Sequence, residues 1–510
     1  MKFQSSYKTI PVKFFMMTLF AAMAIPAGVL AQSTANSKKP ATHHHYKLVD
    51  MGTLGGPFSG SGWPFGLNIN SHGTVITLAE TAFGCPTAPN CLQQTQDNLV
   101  NHGLQWKNGV LTDMGALPGG NNSSFPGWIN DRGDSVGIST NNLYDPLTGY
   151  PEFRAVLWKD GKIFDLGTLG GNVSLANAIN NRGEVVGNAL NSIPDNDSNF
   201  GWSPAAVATQ FRAFLWQAGV MHDLGTLGTG NNAVALFIND PGQVAGVSLT
   251  NTSANSPTGI PTQDPFFWEN GKMVDIGTLG GTSGTPWFMN NQGQVVGVSN
   301  LAGDQTGHAF VWDKENGLKD LGTLPGRSNS IATWINGEGE IVGVAEFFNG
   351  GSSILWKNGK MIDLGKLSGD CSSEALAINS KGQMIGNSSP DCQSDGVGVI
   401  WEDGGAPVDL NTLVTPLSDI NVAFPVSLND RGEIVAHGVL PNGDVHSVIL
   451  IPCDDDHAEV EGCDYQTVAA VPLGAAPINK SSVAGTLSYP PTFETAKRLH
   501  ARKADHDRRS

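Results

Sequence analysis

Asp165-Leu166-Gly167-Thr168-Leu169-Gly170-Gly171 recurs almost letter for letter as Asp223–Gly228, Asp275–Gly281 and Asp320–Leu324. Looser copies begin at Asp50, Asp113, Asp363 and Asp409. Repeats this close mark a repeat architecture, in which each unit buries its apolar face against its neighbour. Eight units fill residues 46 to 452. They predict one body, where 510 residues would otherwise suggest about three domains.

Working outward from that stretch gives the unit. Ala178-Ile179-Asn180 ends a first strand, Asn181-Arg182-Gly183 turns, and Glu184-Val185-Val186-Gly187 begins a second. The same turn stands at Asp131-Arg132-Gly133, Asp240-Pro241-Gly242, Asn291-Gln292-Gly293, Ser380-Lys381-Gly382 and Asp430-Arg431-Gly432. Pro241 suits a first turn corner, and the Gly that follows supplies the positive φ of the second. After a variable loop comes an apolar third strand such as Arg212-Ala213-Phe214-Leu215-Trp216. Asn-Gly or Asp-Gly then marks another tight hairpin, as at Asp160-Gly161 and Asn270-Gly271. A fourth strand such as Lys272–Ile276 leads into the Gly-rich stretch.

Four short antiparallel strands per unit, with Gly and Trp at fixed places, predict an all-β fold: a β-propeller of eight four-stranded blades. A β-solenoid is the alternative, though its coils are usually shorter and lack two tight hairpins each. The eighth unit stops after its third strand, His446–Ile451, while Tyr46–Met51 is a fourth strand without the first three. Pairing the two ends would close the ring and cover the exposed edges.

Net charge is -17. Lys2, Lys8 and Lys13 add three positive charges, and the tail from Gln466 has seven basic and three acidic residues. Residues 32 to 465 therefore carry -24. A surface this acidic repels phosphate backbones, so no nucleic-acid partner is expected. Residues 1–31 read as a signal peptide, three lysines before an apolar run that ends Val29-Leu30-Ala31. Its removal would leave no membrane span, and a secreted, extracellular or periplasmic monomer is expected. Residues 32–45 read as a disordered lead-in, 453–465 as a disulfide-closed acidic loop and 466–510 as a disordered basic tail. The cysteines fall in close pairs, Cys85 with Cys91, Cys371 with Cys392 and Cys453 with Cys463, which predicts three local bridges.

Alternating strand direction puts both tight turns of a blade on one face. The variable loops and Gly-rich crossovers share the other. The variable loops are long in the first four units, near 81–103, 140–152, 190–210 and 249–264. Loops carry function on a rigid scaffold, so binding is expected there. The repeat, including Gly307-His308-Ala309-Phe310-Val311-Trp312, resembles the HAF repeat of bacterial extracellular proteins over residues 46 to 451. Only one copy reads His-Ala-Phe; Arg, Pro or Ser stands in the place of His308 elsewhere. The resemblance implies a repeat fold and export, and supplies no catalytic residue.

The recurring Asp165, Asp223, Asp275, Asp320 and Asp363 read as structural caps that accept backbone N–H groups. Trp158, Trp216, Trp268, Trp312 and Trp356 end third strands and read as blade-packing core. His43-His44-His45 reads as part of the linker. Asp454, Asp455 and Asp456 are the one calcium candidate, without the spacing of a known calcium loop; otherwise no cofactor is expected. No Gly-x-Ser-x-Gly or His-Glu-x-x-His occurs, and no catalytic residue is assigned. The expected function is a binding scaffold for an extracellular glycan, envelope component or protein. The alternative is a propeller glycoside hydrolase or lyase with acids converging on the central channel.

Overall fold

The computed structural model describes residues 42–61, 66–85, 98–144, 151–195, 209–256, 259–346, 350–392, 396–402 and 404–469. The fold is an all-β propeller. Unit 3 shows the pattern: Gly170–Ile179, Val185–Pro194, Thr209–Gln217 and Val220–Asp223 pair in order, each antiparallel to the last. Seven units along the chain follow this order. In the last, Asn421–Leu428, Ile434–Val439 and Val445–Pro452 are completed by Tyr46–Asp50, with Tyr46 opposite Pro452 and Asp50 opposite Val448. Among the described residues no sheet closes on itself.

Two glycines explain why the unit reads as it does. Gly183 sits at φ 81 in the first turn, where a side chain would be strained. Gly187 faces a register shift between Ala176 and Ala178 in the first strand. A Cβ on Gly187 would lie 1.9 Å from the Leu175 carbonyl oxygen, so the bulge requires glycine there.

The asparagine that ends each first strand does two jobs. In unit 3 its Oδ1 accepts from the N–H groups of Arg182 and Glu184, each at 3.0 Å, which shapes its own turn. Its Nδ2 donates to the Asn239 carbonyl of the next unit at 3.0 Å. The same amide contact links Asn70 to Asn130, Asn130 to Asn180, Asn239 to Asn290, Asn290 to Asn336, Asn336 to Asn379 and Asn379 to Asn429. From Asn429 it returns to Asn70 at 3.0 Å. The next residue adds a second tie. The Asp131 N–H donates to Asn181 Oδ1, and the Asn181 N–H donates to Asp240 Oδ1.

Apolar packing runs between units. Leu175, Val186 and Phe214 share one core cluster with Val234, Val244 and Phe266 of the next. First strands also meet across the middle. Trp128, Phe237 and Phe288 lie about 6 Å apart centre to centre, and Trp334 stacks on Phe288 at 3.6 Å. Each of the four stands two residues before its unit's asparagine.

Two sequence expectations need correcting. The lead-in was expected to stay disordered through residue 45, and the tail from 466. Instead Thr42–His44 pairs antiparallel with Thr467–Ala469. His43 is buried, with its Nδ1 2.5 Å from Glu402 Oε2, and Cys453 N donates to the His45 carbonyl. Local composition hides this pairing because its partners lie more than four hundred residues apart. The remainder of the lead-in and tail, and the expected signal peptide at 1–31, lie outside the described residues.

Cys371–Cys392 and Cys453–Cys463 are disulfides, with Cα atoms 5.2 and 5.3 Å apart. Cys85 is also disulfide-bonded, and Cys91, its expected partner, lies outside the described residues. Cys371 precedes a first strand and Cys392 follows a second, so crossover and variable loop meet on one face.

Asn180→Ala removes one inter-unit bond and strands a buried carbonyl and two turn N–H groups. A loss of about 2 kcal/mol is expected in denaturant unfolding. A midpoint equal to the parent's would remove these amides from the account of how units are joined.

Candidate functional site

The most regular polar feature is structural. The repeated aspartate accepts the N–H of the residue two further on in every unit: Asp165 from Gly167, Asp223 from Gly225, Asp275 from Gly277, Asp320 from Gly322, Asp363 from Gly365. Asp50, Asp113 and Asp409 do the same. In five units the carboxylate also meets a basic side chain from the third strand. The pairs are His102–Asp113, Arg154–Asp165, Arg212–Asp223, His308–Asp320 and His446–Asp50, all within 3.3 Å.

These pairs were missed in the sequence, although a signal was present. Basic residue and aspartate stand eleven apart in units 1 to 3 and twelve apart in unit 5. The register also moves one assignment. Asp264, not Pro265, occupies the place of His308, since Phe266 pairs with Asp275 as Phe310 pairs with Asp320. Unit 4 therefore sets acid against acid. Burial, and then the neighbouring Asp275, lift the Asp264 carboxyl from 3.8 to about 7.

The third-strand tryptophans are placed for packing. Trp158, Trp312 and Trp356 are buried, and Trp216 and Trp268 are partly so. Trp356 Nε1 donates to the Leu321 carbonyl of the preceding unit, and Trp401 does likewise to Leu364. The Asp454, Asp455 and Asp456 run is drawn apart. Asp454 Oδ1 holds His457 Nδ1 at 2.6 Å, while Asp456 pairs with Lys381 at 3.2 Å. His457 is buried between Asp454 and Glu433. Burial alone would lower its pKa; the carboxylates of Glu433 and Asp454 beside it raise it above the usual value. The gap lined by Phe125, Gly137, Leu175 and Asn177 has room for about one water.

Units differ most at the second hairpin. In units 1 to 3 the second strand runs ten residues, as Val75–Gly84, Ser135–Tyr144 and Val185–Pro194. In units 4 and 7 it runs six. Four extra residues lift the hairpin by about 13 Å. Each tall hairpin carries the same irregularity, between Glu80 and Gly84, Thr140 and Tyr144, and Leu190 and Pro194. Inside it a side chain caps the N–H two residues on: Thr81 for Phe83, Asn141 for Leu143, Asn191 for Ile193.

That turn presents an apolar residue at one register on three consecutive blades. Phe83 is 63% exposed, Leu143 59% and Ile193 54%, with Tyr144 beside them at 45%. Below them, Asn141 Nδ2 donates to buried Glu152, and Asn231 and Asn232 donate to buried Asp195. The apolar row stands on hairpins whose polar bases are hydrogen-bonded. Single exposed apolar residues are ordinary; three at one register on consecutive units are the least ordinary feature of this face.

No family model matches this chain, nor does any curated protein. Among solved structures it is similar to an oligogalacturonate lyase from Vibrio parahaemolyticus, at 10% identity and TM-score 0.41, covering 82% of this chain and all of that one. It is also similar to the β-propeller domain of the Trilobed protease from Pyrococcus furiosus, at 9% identity and TM-score 0.38, covering 72% and 95%. A third is the Pyrococcus horikoshii acylaminoacyl peptidase, at 11% identity and TM-score 0.38. There this chain covers 56% of the peptidase's length and 72% of its own. At these TM-scores the likeness carries nothing about activity.

Asp264 gives a pH signature. The folded chain holds its proton to about pH 7, whereas the unfolded chain releases it near the ordinary 3.8. Its contribution to stability is complete below that lower value and is lost as pH rises through about 7. In chelator-treated buffer, Asp264→Asn should lose less stability than the parent between those two values. Parallel melting-temperature profiles for the two proteins would refute the assignment.

Proposed function

We infer that this chain is an exported binding scaffold whose contact surface is the raised hairpin face of units 1 to 3. The observation that carries the reading is the row Phe83, Leu143 and Ile193, held at one register by three equivalent capped turns. The ring itself is eight-bladed and closed. Support comes from the Asn429 contact back to Asn70 and from Tyr46–Asp50 lying on Val445–Pro452. Disulfides fit an oxidising compartment, and among the described residues no helix is long and apolar enough to cross a membrane. The resemblance to the HAF repeat of bacterial extracellular proteins fits the same location.

The favoured partner is a protein or envelope component that presents an apolar ridge. Phe83 and Tyr144 expose flat rings, but Leu143 and Ile193 continue the row with aliphatic side chains, and its lack of charge suits the core of a protein contact. A hydrolase or lyase reading needs two carboxylates across the channel. The first strands bring Trp128, Phe237, Phe288 and Trp334 together there instead.

The test compares the parent with a triple variant, Phe83→Ser, Leu143→Ser and Ile193→Ser, on envelope fractions and on a glycan array. The exposed positions should each change stability by less than about 0.5 kcal/mol. Retention of the envelope partner should fall at least tenfold, or about 1.4 kcal/mol. Equal retention by a folded triple variant, or binding confined to glycans and unchanged by it, would sink the reading.

A further inference from the structure

The joint between the last unit and the first is built differently from the others. In units 3 to 8 the linking asparagine also donates to the residue four further on, as Asn180 does to Glu184, Asn336 to Glu340 and Asn429 to Glu433. Where that residue is an acid, its own unit supplies a cation: Arg182 for Glu184 and Lys357 for Glu340. Glu433 takes His457 instead, from beyond the last repeat, at 3.5 Å, with Arg431 at 3.6 Å. Glu433 also lies against unit 1, since a Cβ on Gly73 would come 2.8 Å from its Oε2.

The segment that carries His457 lies across this joint. Cys453–Cys463 closes it, and the Val460 N–H and the Tyr465 hydroxyl donate to the His457 carbonyl. Val460 packs on the cluster that holds Ile69 of unit 1 and Ile449 of unit 8. Lys381 of unit 7 reaches Asp456, and Arg431 reaches Glu459. Beyond the loop, Asp464 meets His45, and Thr467–Ala469 pairs with Thr42–His44.

His457 is fully buried, with Asp454 at 2.6 Å from Nδ1 and Glu433 on the side of Nε2. A neutral imidazole has one N–H, so its other nitrogen would turn a lone pair toward a buried carboxylate. The imidazolium donates from both nitrogens and offsets both charges. We propose that residues 453–465 form a clasp over the joint between units 8 and 1, engaged while His457 carries its proton and released when it loses it. The charged groups facing His457 are Asp454 from its own loop and Glu433 with Arg431 from the unit 8 turn. Burial works against the proton, the two carboxylates outweigh it, and the pKa stands above the ordinary 6.5. The clasp therefore contributes fully below 6.5 and is lost as pH rises through the higher folded value.

Hydrogen exchange of the full chain, read by mass spectrometry from about pH 5.5 to about pH 8.5, tests this. After correction for intrinsic rates, protection around Asn70, Asn429 and His457 should fall by at least about tenfold across that range, the size of one unit of coupling. Protection around the internal joint of Asn180 and Asn239 should stay level. His457→Gln carries no charge and should show the low protection at every pH. Asp454→Asn keeps Glu433 but removes one acid, so its transition should move to lower pH. The proposal is overturned by a flat parent profile, by a loss spread evenly over all joints, or by an Asp454→Asn transition at the parent's pH. A fall that persists in His457→Gln would assign the effect to another group, such as His43 on Glu402 or His45 on Asp464, and would also overturn it. Asp454→Asn decides the matter if the glutamine variant fails to fold. Neither variant touches the apolar row, so envelope retention tests that reading separately.

Discussion

A single side-chain amide holds the architecture together. Each first strand ends in an asparagine whose Oδ1 closes its own turn and whose Nδ2 bonds the backbone of the next unit. A buried amide has two donors and one acceptor oxygen to satisfy, and here one residue meets those demands in two units at once. Replacing it would unmake a turn and a joint together. Glutamine would overshoot the turn, and aspartate would lose the donor. This is why the same letter stands at Asn70, Asn130, Asn180, Asn239, Asn290, Asn336, Asn379 and Asn429.

With the tight-turn face tied in this way, the opposite face is free to vary. Its base is still strongly determined, because the repeated aspartates cap their turns and most take a basic partner from the third strand. Above that base the tall hairpins of units 1 to 3 raise Phe83, Leu143 and Ile193 into solvent. Packing continues between first strands, where Trp128, Phe237, Phe288 and Trp334 meet from four units. The tall hairpins and the inter-unit joints thus sit on different faces, which lets the loops change without disturbing the joints.

Much of this was legible in the linear chain. The Asn-x-Gly turns, the Asp-Leu-Gly-Thr-Leu-Gly-Gly crossovers and the end-of-strand tryptophans obey short-range rules, since a turn or cap depends on residues two to four apart. What failed to show was anything set by distant residues. His43 lay in a stretch whose composition is that of a linker, yet it is buried against Glu402. Pro265 was placed one position out of register because apolar runs of different lengths align ambiguously; only pairing of Phe266 with Asp275 fixes Asp264 opposite that aspartate.

The sequence by itself determined the repeat, the four-strand unit, the turn chemistry and the cysteine pairs Cys371–Cys392 and Cys453–Cys463. Those features follow from local backbone preferences and from covalent reach. Tertiary structure alone decided which side chains meet across units. It joined asparagine to the next unit's carbonyl, brought four aromatics together, and aligned Phe83, Leu143 and Ile193 into one row. It also set Asp264 beside Asp275. The physical reason is common to all four: each contact depends on where a neighbouring strand places its backbone, and no local preference encodes that.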